Sequence, residues 1–447
     1  MSDEKTKRGL GVKLGFDSGR AFGGFMSVVL VGQIIYSCFE ALKSVFYTPL
    51  MHIFNLSNAQ LGVIFSLTGI SIFFSIPGSW VNNRFSVKSI LITSMIIRMI
   101  TIYIVLLCNP NYTVMKIVAA TWGIVDGVFW PAVLNGVNLF TNKKNKGVAF
   151  GLLESVRRLL EMVMNMLLIG VMSAAGTGML LHCSQMQIFR TGLLIYNLLL
   201  IPLIIAVAKL VPTNGIAADK HNKSKGKDAL AGVWQVIKMP KLWIAAITAF
   251  CIFWSYTFSV YTTPFLQDVF HLGQTQASLF GTISTAGIGI IASFLSGFIS
   301  DRLLKSTGKM IFMSMSMAFL AILIVLLLPK NSATLVLTMI FILIFACGMF
   351  MAKGIMEVPA SQIPMPEKYR GAAMSVTFFV AYSPKIFAYS INGKIIDQLG
   401  PNRAFNIIFT TEVIIAGIGV LLSLFLIRME KKEKAQKLAE EAEKQNK

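Results

Sequence analysis

The sequence contains little charge, few cysteines and few histidines for its 447 residues. Asp, Glu, Lys and Arg make up 13% of it, about half of the roughly 25% that is usual in soluble domains. The 5 cysteines and 4 histidines are scattered without ligand spacing, so we expect no disulfide framework and no metal site. The sequence has no glycine-rich phosphate-binding loop and no nucleophile–base set. These absences argue against an enzyme and against a bound cofactor.

Long apolar runs fill most of the chain instead. Hydrophobic residues make up 55% of the sequence, and its mean hydropathy is +0.70. A helix needs about 20 mostly apolar residues to cross a bilayer, because its backbone must be hydrogen-bonded internally. Twelve runs meet this requirement. They are, in order as spans 1 to 12, residues 22–50, 59–81, 87–108, 113–140, 147–174, 189–210, 242–263, 276–300, 309–328, 333–358, 371–392 and 404–427.

The twelve spans fall into two related sets of six. Phe54-Asn55-Leu56 in the first set returns as Phe270-His271-Leu272 in the second, which indicates an internal repeat. We therefore predict an all-α membrane protein with twelve transmembrane helices in two pseudo-symmetric six-helix halves. Its predicted parts are an N-terminal segment (1–21), the first half (22–210), a linker (211–241), the second half (242–427) and a charged tail (428–447).

The net charge of +20 comes from basic residues whose distribution along the chain indicates its orientation in the membrane. If the N-terminus is cytoplasmic, the inside segments hold 29 of the 40 Lys and Arg residues and the outside segments hold only 5. Basic residues are retained on the cytoplasmic side, so we predict a multi-pass protein with both termini in the cytoplasm. The high apolar content leaves little surface for a nucleic-acid groove, and the bilayer is the expected partner.

A loop motif after span 8 carries a family resemblance. Gly297-Phe298-Ile299-Ser300-Asp301-Arg302 resembles the G-x-x-x-D-R loop of the major facilitator superfamily, which occurs once in each half. The copy after span 2 runs from Gly78 to Arg84, with Asn in place of the Asp and Arg84 displaced by one position. The resemblance implies a secondary transporter that works by alternating access, with Gly78, Arg84, Gly297, Asp301 and Arg302 in its conformational loops. It also implies a functional monomer.

A finer resemblance covers about 45 residues of spans 10 and 11. The segments 353–359, 382–387 and 393–397 resemble a poorly characterised bacterial branch of solute carriers, which implies the bacterial inner membrane as the location. In that branch an Asp is common at the position of Lys385, so an ion-coupling role is not carried over to this position.

Charged residues inside the spans are the candidate functional groups, because a charge at bilayer depth costs about 2.5–3.5 kcal/mol or more. There are twelve such residues, and ten of them lie in spans 1, 4, 5, 10 and 11, which the family resemblance implies border the central cavity. The other two, Arg98 and Glu412, lie in spans 3 and 12, and we predict a structural role for them. The cations are Lys43, Arg98, Arg157, Arg158, Lys353 and Lys385, and the anions are Glu40, Asp126, Glu154, Glu161, Glu357 and Glu412.

Helical spacing suggests how these charges act. Span 5 presents Glu154, Arg157, Arg158, Glu161 and Asn165 within a stripe of about 100°, and a carboxylate in such a wet site can carry a proton. We hypothesise a proton-coupled transporter of a small polar organic solute, with an organic anion favoured. The predicted substrate contacts are Lys43, Arg157, Arg158, Lys353, Lys385 and Tyr256, and the predicted proton carriers are Glu40, Glu154, Glu161, Asp126 and Glu357.

Other interpretations stay open. The charges balance, six against six, so they could be permanent ion pairs: Arg98 with Asp126, Glu40 with Lys43 and Lys353 with Glu357 at spacings that allow same-face contact. A neutral, sugar-like solute, or exchange without protons, would also fit the fold. A non-transporting membrane sensor or scaffold is the alternative from a different class.

Overall fold

The computed structural model describes Phe16 and residues 18–108, 110–140, 146–176, 184–213 and 234–445. Within these ranges the regular secondary structure is entirely helical. Most of the predicted linker, residues 214–233, and most of the N-terminal segment lie outside the described residues. The predicted all-α fold class is confirmed.

Helices make up most of the predicted first half that the structure describes. Polar side chains begin several of them, as at Ser57, whose hydroxyl and the Gln60 side chain form a reciprocal capping box. The helices are α1 (Gly19–Ile34), α2 (Tyr47–Phe54), α3 (Asn58–Thr68), α4 (Ser75–Arg84), α5 (Val87–Leu107), α6 (Tyr112–Leu139), α7 (Lys146–Gly176), α8 (Gln185–Leu198) and α9 (Leu200–Leu210).

The second half has a similar sequence of long and interrupted helices, and its last helix continues from span 12 into the charged tail. The helices are α10 (Pro240–Phe258), α11 (Thr262–Phe270), α12 (Gln274–Thr282), α13 (Ile288–Phe298), α14 (Thr307–Leu327), α15 (Leu335–Gly354), α16 (Val358–Gln362), α17 (Glu367–Tyr382), α18 (Pro384–Leu399) and α19 (Pro401–Gln445).

The internal repeat is visible in the backbone. Asn55 ends α2 in the left-handed conformation with a φ of 49°, and His271 ends α11 in the same conformation with a φ of 56°. Left-handed residues of this kind commonly end helices. The two positions that match in the repeated sequence therefore make the same turn.

Within the described residues, eight helical segments are long and apolar enough to cross a membrane, or nine if the bent pair α2 and α3 is counted. These segments correspond to spans 3, 4, 6, 7, 8, 9, 10 and 12. The spans that fall short are interrupted or charged: α1 ends at Ile34, α7 carries the charges of span 5, and span 11 is divided at Ser383. Helical segments nevertheless occur in each of the twelve predicted spans, which agrees with a twelve-helix fold.

The chain divides into two compact units. The first contains residues 1–220 together with 273–282 and 389–394, and the second contains 221–272, 283–388 and 395–447. In the first unit, Gly62 of α3 lies against the carbonyl of Tyr389, and Gly393 of α18 lies against that of Asn58. The ends of spans 2 and 11 are therefore packed backbone to backbone in this unit.

The two motif glycines differ in their surroundings. A Cβ at Gly78 would lie 2.2 Å from the carbonyl oxygen of Gly127, so glycine is required where α4 crosses α6. A Cβ at Gly297 would meet no described atom within 4 Å. The close helix approach implied by the resemblance is thus present at the first copy, whereas at Gly297 the described residues show none.

The polar residues of the two motifs also differ. Asn82, which replaces the expected Asp, donates from Nδ2 to the carbonyls of Gly78 and Val128 at 2.9 Å each. An ionised carboxylate could not donate these bonds, which explains the substitution locally. Arg84 and Arg302 are both exposed. The side chain of Asp301 lies outside what the structure describes.

The glycine contacts predict a difference in stability. Gly78→Ala should lower the free energy of unfolding by about 1–3 kcal/mol, because two backbones must separate to accept the methyl group. Gly297→Ala is the matched control and should be neutral or stabilising by up to about 1 kcal/mol. Thermal unfolding of the purified variants checks this, and equal melting temperatures would contradict the crossing geometry.

Candidate substrate-binding and proton-coupling site

Arg98 is the centre of the charged cluster in the first unit. It projects from α5, is 1% exposed, and binds two carboxylates. Its Nη1 lies 2.8 Å from Oε1 of Glu40, and its Nη2 lies 3.1 Å from Oδ1 of Asp126. The predicted ion pair of Arg98 with Asp126 is confirmed. Arg98 also forms an ion pair with Glu40, so it neutralises more than one carboxylate.

A break in span 1 brings Glu40 to Arg98. The first helix ends at Ile34, and the chain runs through turns and a short 3₁₀ segment, Glu40–Leu42, before α2 begins. The expected Glu40–Lys43 ion pair is not formed, because these residues do not lie on a continuous α-helix. Interrupted helices of this kind are tolerated inside a membrane where they line a polar site.

The cluster holds more carboxylate than guanidinium. Two acids share the single guanidinium of Arg98, and among the described residues Glu40 Oε2 and Arg98 Nε are buried without hydrogen-bond partners. With both acids ionised the three side chains sum to one negative charge. Protonation of one acid would make them neutral, which suits a site that binds and releases a proton.

Aromatic rings enclose the Arg98 guanidinium. Its central carbon lies 4.7 Å from the Trp122 ring centroid and 5.8 Å from that of Tyr36. Cation–π contacts of this kind are favourable where water is excluded. The sequence alone does not distinguish either ring, because aromatic residues are common in the spans and mark no site by themselves.

Lys43 occupies a separate aromatic pocket in the first unit. Its ammonium is 3.3 Å from the Thr68 hydroxyl and lies 4.8 Å and 5.0 Å from the ring centroids of Phe65 and Tyr389. The side chain is 6% exposed. The structure thus places this predicted substrate contact beside Tyr389 of span 11.

Span 5 carries the predicted stripe of charge on α7. Arg157 pairs with Glu154 at 3.1 Å, donates from Nε to the Gly32 carbonyl at 3.1 Å, and lies 4.5 Å from the Trp130 ring centroid. The exposed fractions of the two paired side chains are 19% and 57%. The stripe is completed by Arg158 and Glu161, which are half-buried, and Asn165, which is buried.

The second unit holds a cluster of its own. The Lys353 ammonium lies 3.8 Å from the ring centroid of Tyr256, and the Tyr382 hydroxyl donates to Glu357 Oε1 at 3.1 Å. The Lys353–Glu357 ion pair that helical spacing allowed is absent, because α15 ends at Gly354 and turns separate the two residues.

Lys385 is the predicted substrate contact whose positive charge is least compensated by neighbouring residues. It is half-buried in α18, directly after the break at Ser383. It makes no hydrogen bond or ion pair with any residue that the structure describes. A lysine at membrane depth is costly without a partner, so its ammonium is suited to an incoming anion.

The composition of these clusters limits their chemistry. Across the described ranges, no group of three or more His, Cys, Asp and Glu side chains could hold a metal ion. The clusters contain cations, carboxylates and aromatic rings, which suit binding of a polar solute and of protons.

The sequence model of the Major Facilitator Superfamily matches residues 29–389. The chain belongs to this superfamily. The inner membrane protein YihN of Escherichia coli strain K12 is 26% identical over 425 residues, covering 94% of this chain and 98% of that protein.

Two solved transporters of low sequence identity share the fold of this superfamily member. A variant of the nucleoside transporter NupG has a TM-score of 0.68 at 14% identity and covers 91% of this chain and 99% of its own. An inward-facing, unoccupied bacterial homologue of the human lysosomal transporter Spinster has a TM-score of 0.66 at 16% identity, covering 92% and 97%.

Membership in the superfamily, together with the apolar helices, defines the general activity. The chain is a multi-pass inner membrane protein and a secondary transporter of a small-molecule substrate.

The Arg98 cluster predicts unequal effects of two arginine substitutions. Arg98→Gln leaves two buried carboxylates without their cation and should destabilise the protein by about 3–5 kcal/mol. Arg157→Gln breaks a partly exposed pair and should cost no more than about 1 kcal/mol. Melting temperatures of the purified variants measure this, and an Arg98→Gln protein as stable as Arg157→Gln would refute the central role of Arg98.

Proposed function

We propose that the transporter carries a small organic anion together with protons. The observation that supports this most strongly is the pair of carboxylates on the Arg98 guanidinium. Such a cluster is stable both with two ionised acids and with one protonated, because Arg98 keeps an ionised partner in either state.

Glu40 is the proton carrier in this proposal, and Asp126 is the permanent partner of Arg98. Glu40 is the more exposed of the two acids, at 11% against 7%, and only Glu40 has a buried oxygen without a described partner. It also lies on the interrupted part of span 1, where a small backbone change can move it away from Arg98. Glu154, Glu161 and Glu357 stay further candidates for proton binding.

Lysines supply the attraction for the anion. Lys385 has no described counter-ion, and Lys43 and Lys353 lie against aromatic rings. In the first unit, Arg157 and Arg158 are further cationic groups on α7. A bound anion would offset positive charge at the same time as the proton offsets the extra carboxylate of the Arg98 cluster, so co-binding keeps the charge within the membrane low.

A neutral solute is the second candidate, and the aromatic side chains favour it. Tyr256, Phe253 and Tyr382 form a contiguous group in the second unit, with ring centroids 5.3 Å and 4.4 Å apart along the series. Rings of this kind could stack on a sugar or a base. One structural neighbour is a nucleoside transporter, so neutral nucleosides and sugars belong in any substrate screen.

The proposal predicts proton-driven accumulation of an anion. Purified protein is screened for thermal stabilisation by carboxylic acids, phosphorylated sugars, neutral sugars and nucleosides, and the best stabiliser is tested in proteoliposomes. Solute should accumulate in the more alkaline compartment, because symported protons move towards it. Glu40→Gln should abolish this accumulation while solute still exchanges across the membrane without a gradient.

Lysine substitutions test the binding of the anion separately from the coupling to protons. Lys385→Gln should weaken binding of the anion at least about tenfold, equivalent to about 1.4 kcal/mol. Lys394→Gln is the matched control, since Lys394 is an exposed residue of the same helix. Stabilisation by neutral solutes alone, or transport unaffected by a pH gradient and by Glu40→Gln, would overturn the proposal.

A further inference from the structure

Glu412 is a buried carboxyl group that the proposed transport mechanism does not use. It lies on α19 in span 12 and is 0% exposed. One carboxyl oxygen, Oε1, is within hydrogen-bonding distance of the Ser255 hydroxyl on α10, and the other, Oε2, is buried without a partner among the described residues. None of the ion pairs in the described part of the chain involves Glu412.

The Glu412 site has fewer donor hydrogens than acceptor oxygens if Glu412 is ionised. The Ser255 hydroxyl lies 3.3 Å from the carbonyl of Cys251 one turn earlier in α10, as well as beside Glu412. A serine hydroxyl has one hydrogen and can donate it to only one of these acceptors. If Glu412 is ionised, Ser255 is its sole described donor and a full charge stays buried.

A protonated Glu412 resolves this shortage. The acid then donates to Ser255 Oγ, and Ser255 donates to the Cys251 carbonyl, so each hydrogen has an acceptor. Only the carbonyl oxygen of the acid is left without a donor, which costs far less than an unpaired buried charge. We propose that Glu412 is a proton-binding site that stays protonated and links span 12 to span 7 by a hydrogen bond to Ser255.

The surroundings of Glu412 supply no alternative counter-charge. The helices packed against α19 include α10, α11 and α14. On α10 the ionisable group that interacts electrostatically with Glu412 is the Cys251 thiol, which is itself buried and carries no positive charge. The other ionisable residues of these helices are Lys241, Asp268 and Lys309 near helix ends and Tyr256, which lies against Lys353.

This site is separate from the Arg98 cluster. It belongs to the second unit, whereas Glu40, Arg98 and Asp126 belong to the first. The sequence assigned Glu412 a structural role because it lies in a span outside the cavity helices. The proposal keeps that role and adds a bound proton to it, so ionisation of Glu412 at high pH should weaken the contact between spans 7 and 12.

Infrared spectroscopy tests the protonation directly. The purified wild-type protein at neutral pH should show a carbonyl band of a protonated carboxylic acid that shifts in D₂O and is absent in Glu412→Gln. Glu40→Gln is the control and should leave that band in place. If Glu412→Gln does not fold, Ser255→Ala should shift the band to higher frequency, whereas Ser423→Ala, at another buried serine of α19, should not.

Thermal unfolding gives an independent readout. The folded protein holds one more proton at Glu412 than the unfolded chain above about pH 5, so raising the pH destabilises wild type. Relative to Glu412→Gln, its folding equilibrium should weaken by up to about tenfold for each pH unit over which Glu412 is protonated in the folded protein and ionised in the unfolded chain. The proposal would be overturned if the stability difference between wild type and Glu412→Gln did not change with pH, or if Glu412→Gln removed no infrared band. Sodium-dependent stabilisation that Glu412→Gln removes would also overturn it, because it would indicate a cation bound by an ionised Glu412.

Discussion

The cost of placing charge in a hydrocarbon layer governs the organisation of this protein. Arg98 shows how the cost is met: its guanidinium, 1% exposed, binds Glu40 and Asp126 and is enclosed by Trp122 and Tyr36. Removing Arg98 would leave both carboxylates buried without their cation. The local structure of spans 1, 3 and 4 is arranged around this one residue.

Breaks in the helices follow from the same constraint. A continuous helix directs its side chains outwards at fixed angles, and an interruption lets one segment reach a partner that helical spacing would not allow. The turns before α2 bring Glu40 to Arg98, and those after Gly354 separate Lys353 from Glu357. The first break allows Glu40 to bind Arg98, and after the second break Glu357 accepts a hydrogen bond from Tyr382 while Lys353 lies against the Tyr256 ring.

The sequence was sufficient for the large-scale features. Long apolar runs predict helices because a bilayer offers no other stable solution for the backbone, and the repeat around Asn55 and His271 is reproduced as the same left-handed turn. The motif residues led to the superfamily that the family comparison confirms. The orientation of the termini and the boundaries of the two halves stay predictions.

The partners of the intramembrane charges could be predicted only in part. Arg98 with Asp126 was expected, but Glu40–Lys43 and Lys353–Glu357 were not formed, because spacing along a sequence assumes an unbroken helix. The aromatic partners Tyr256 and Tyr389 depend on contacts between helices distant in sequence. The environment of Glu412 had no sequence signal, since Ser255 is 157 residues away and is an ordinary serine in an apolar span.

Proton uptake on solute binding tests the central claim about the Arg98 cluster most directly. The solute that stabilises the purified protein is added in weakly buffered solution, and a pH indicator reports the protons bound. If Glu40 is the proton carrier, wild type should take up about one proton for each solute bound, and Glu40→Gln should take up none. Binding without proton uptake in wild type, or equal uptake in both proteins, would contradict the account.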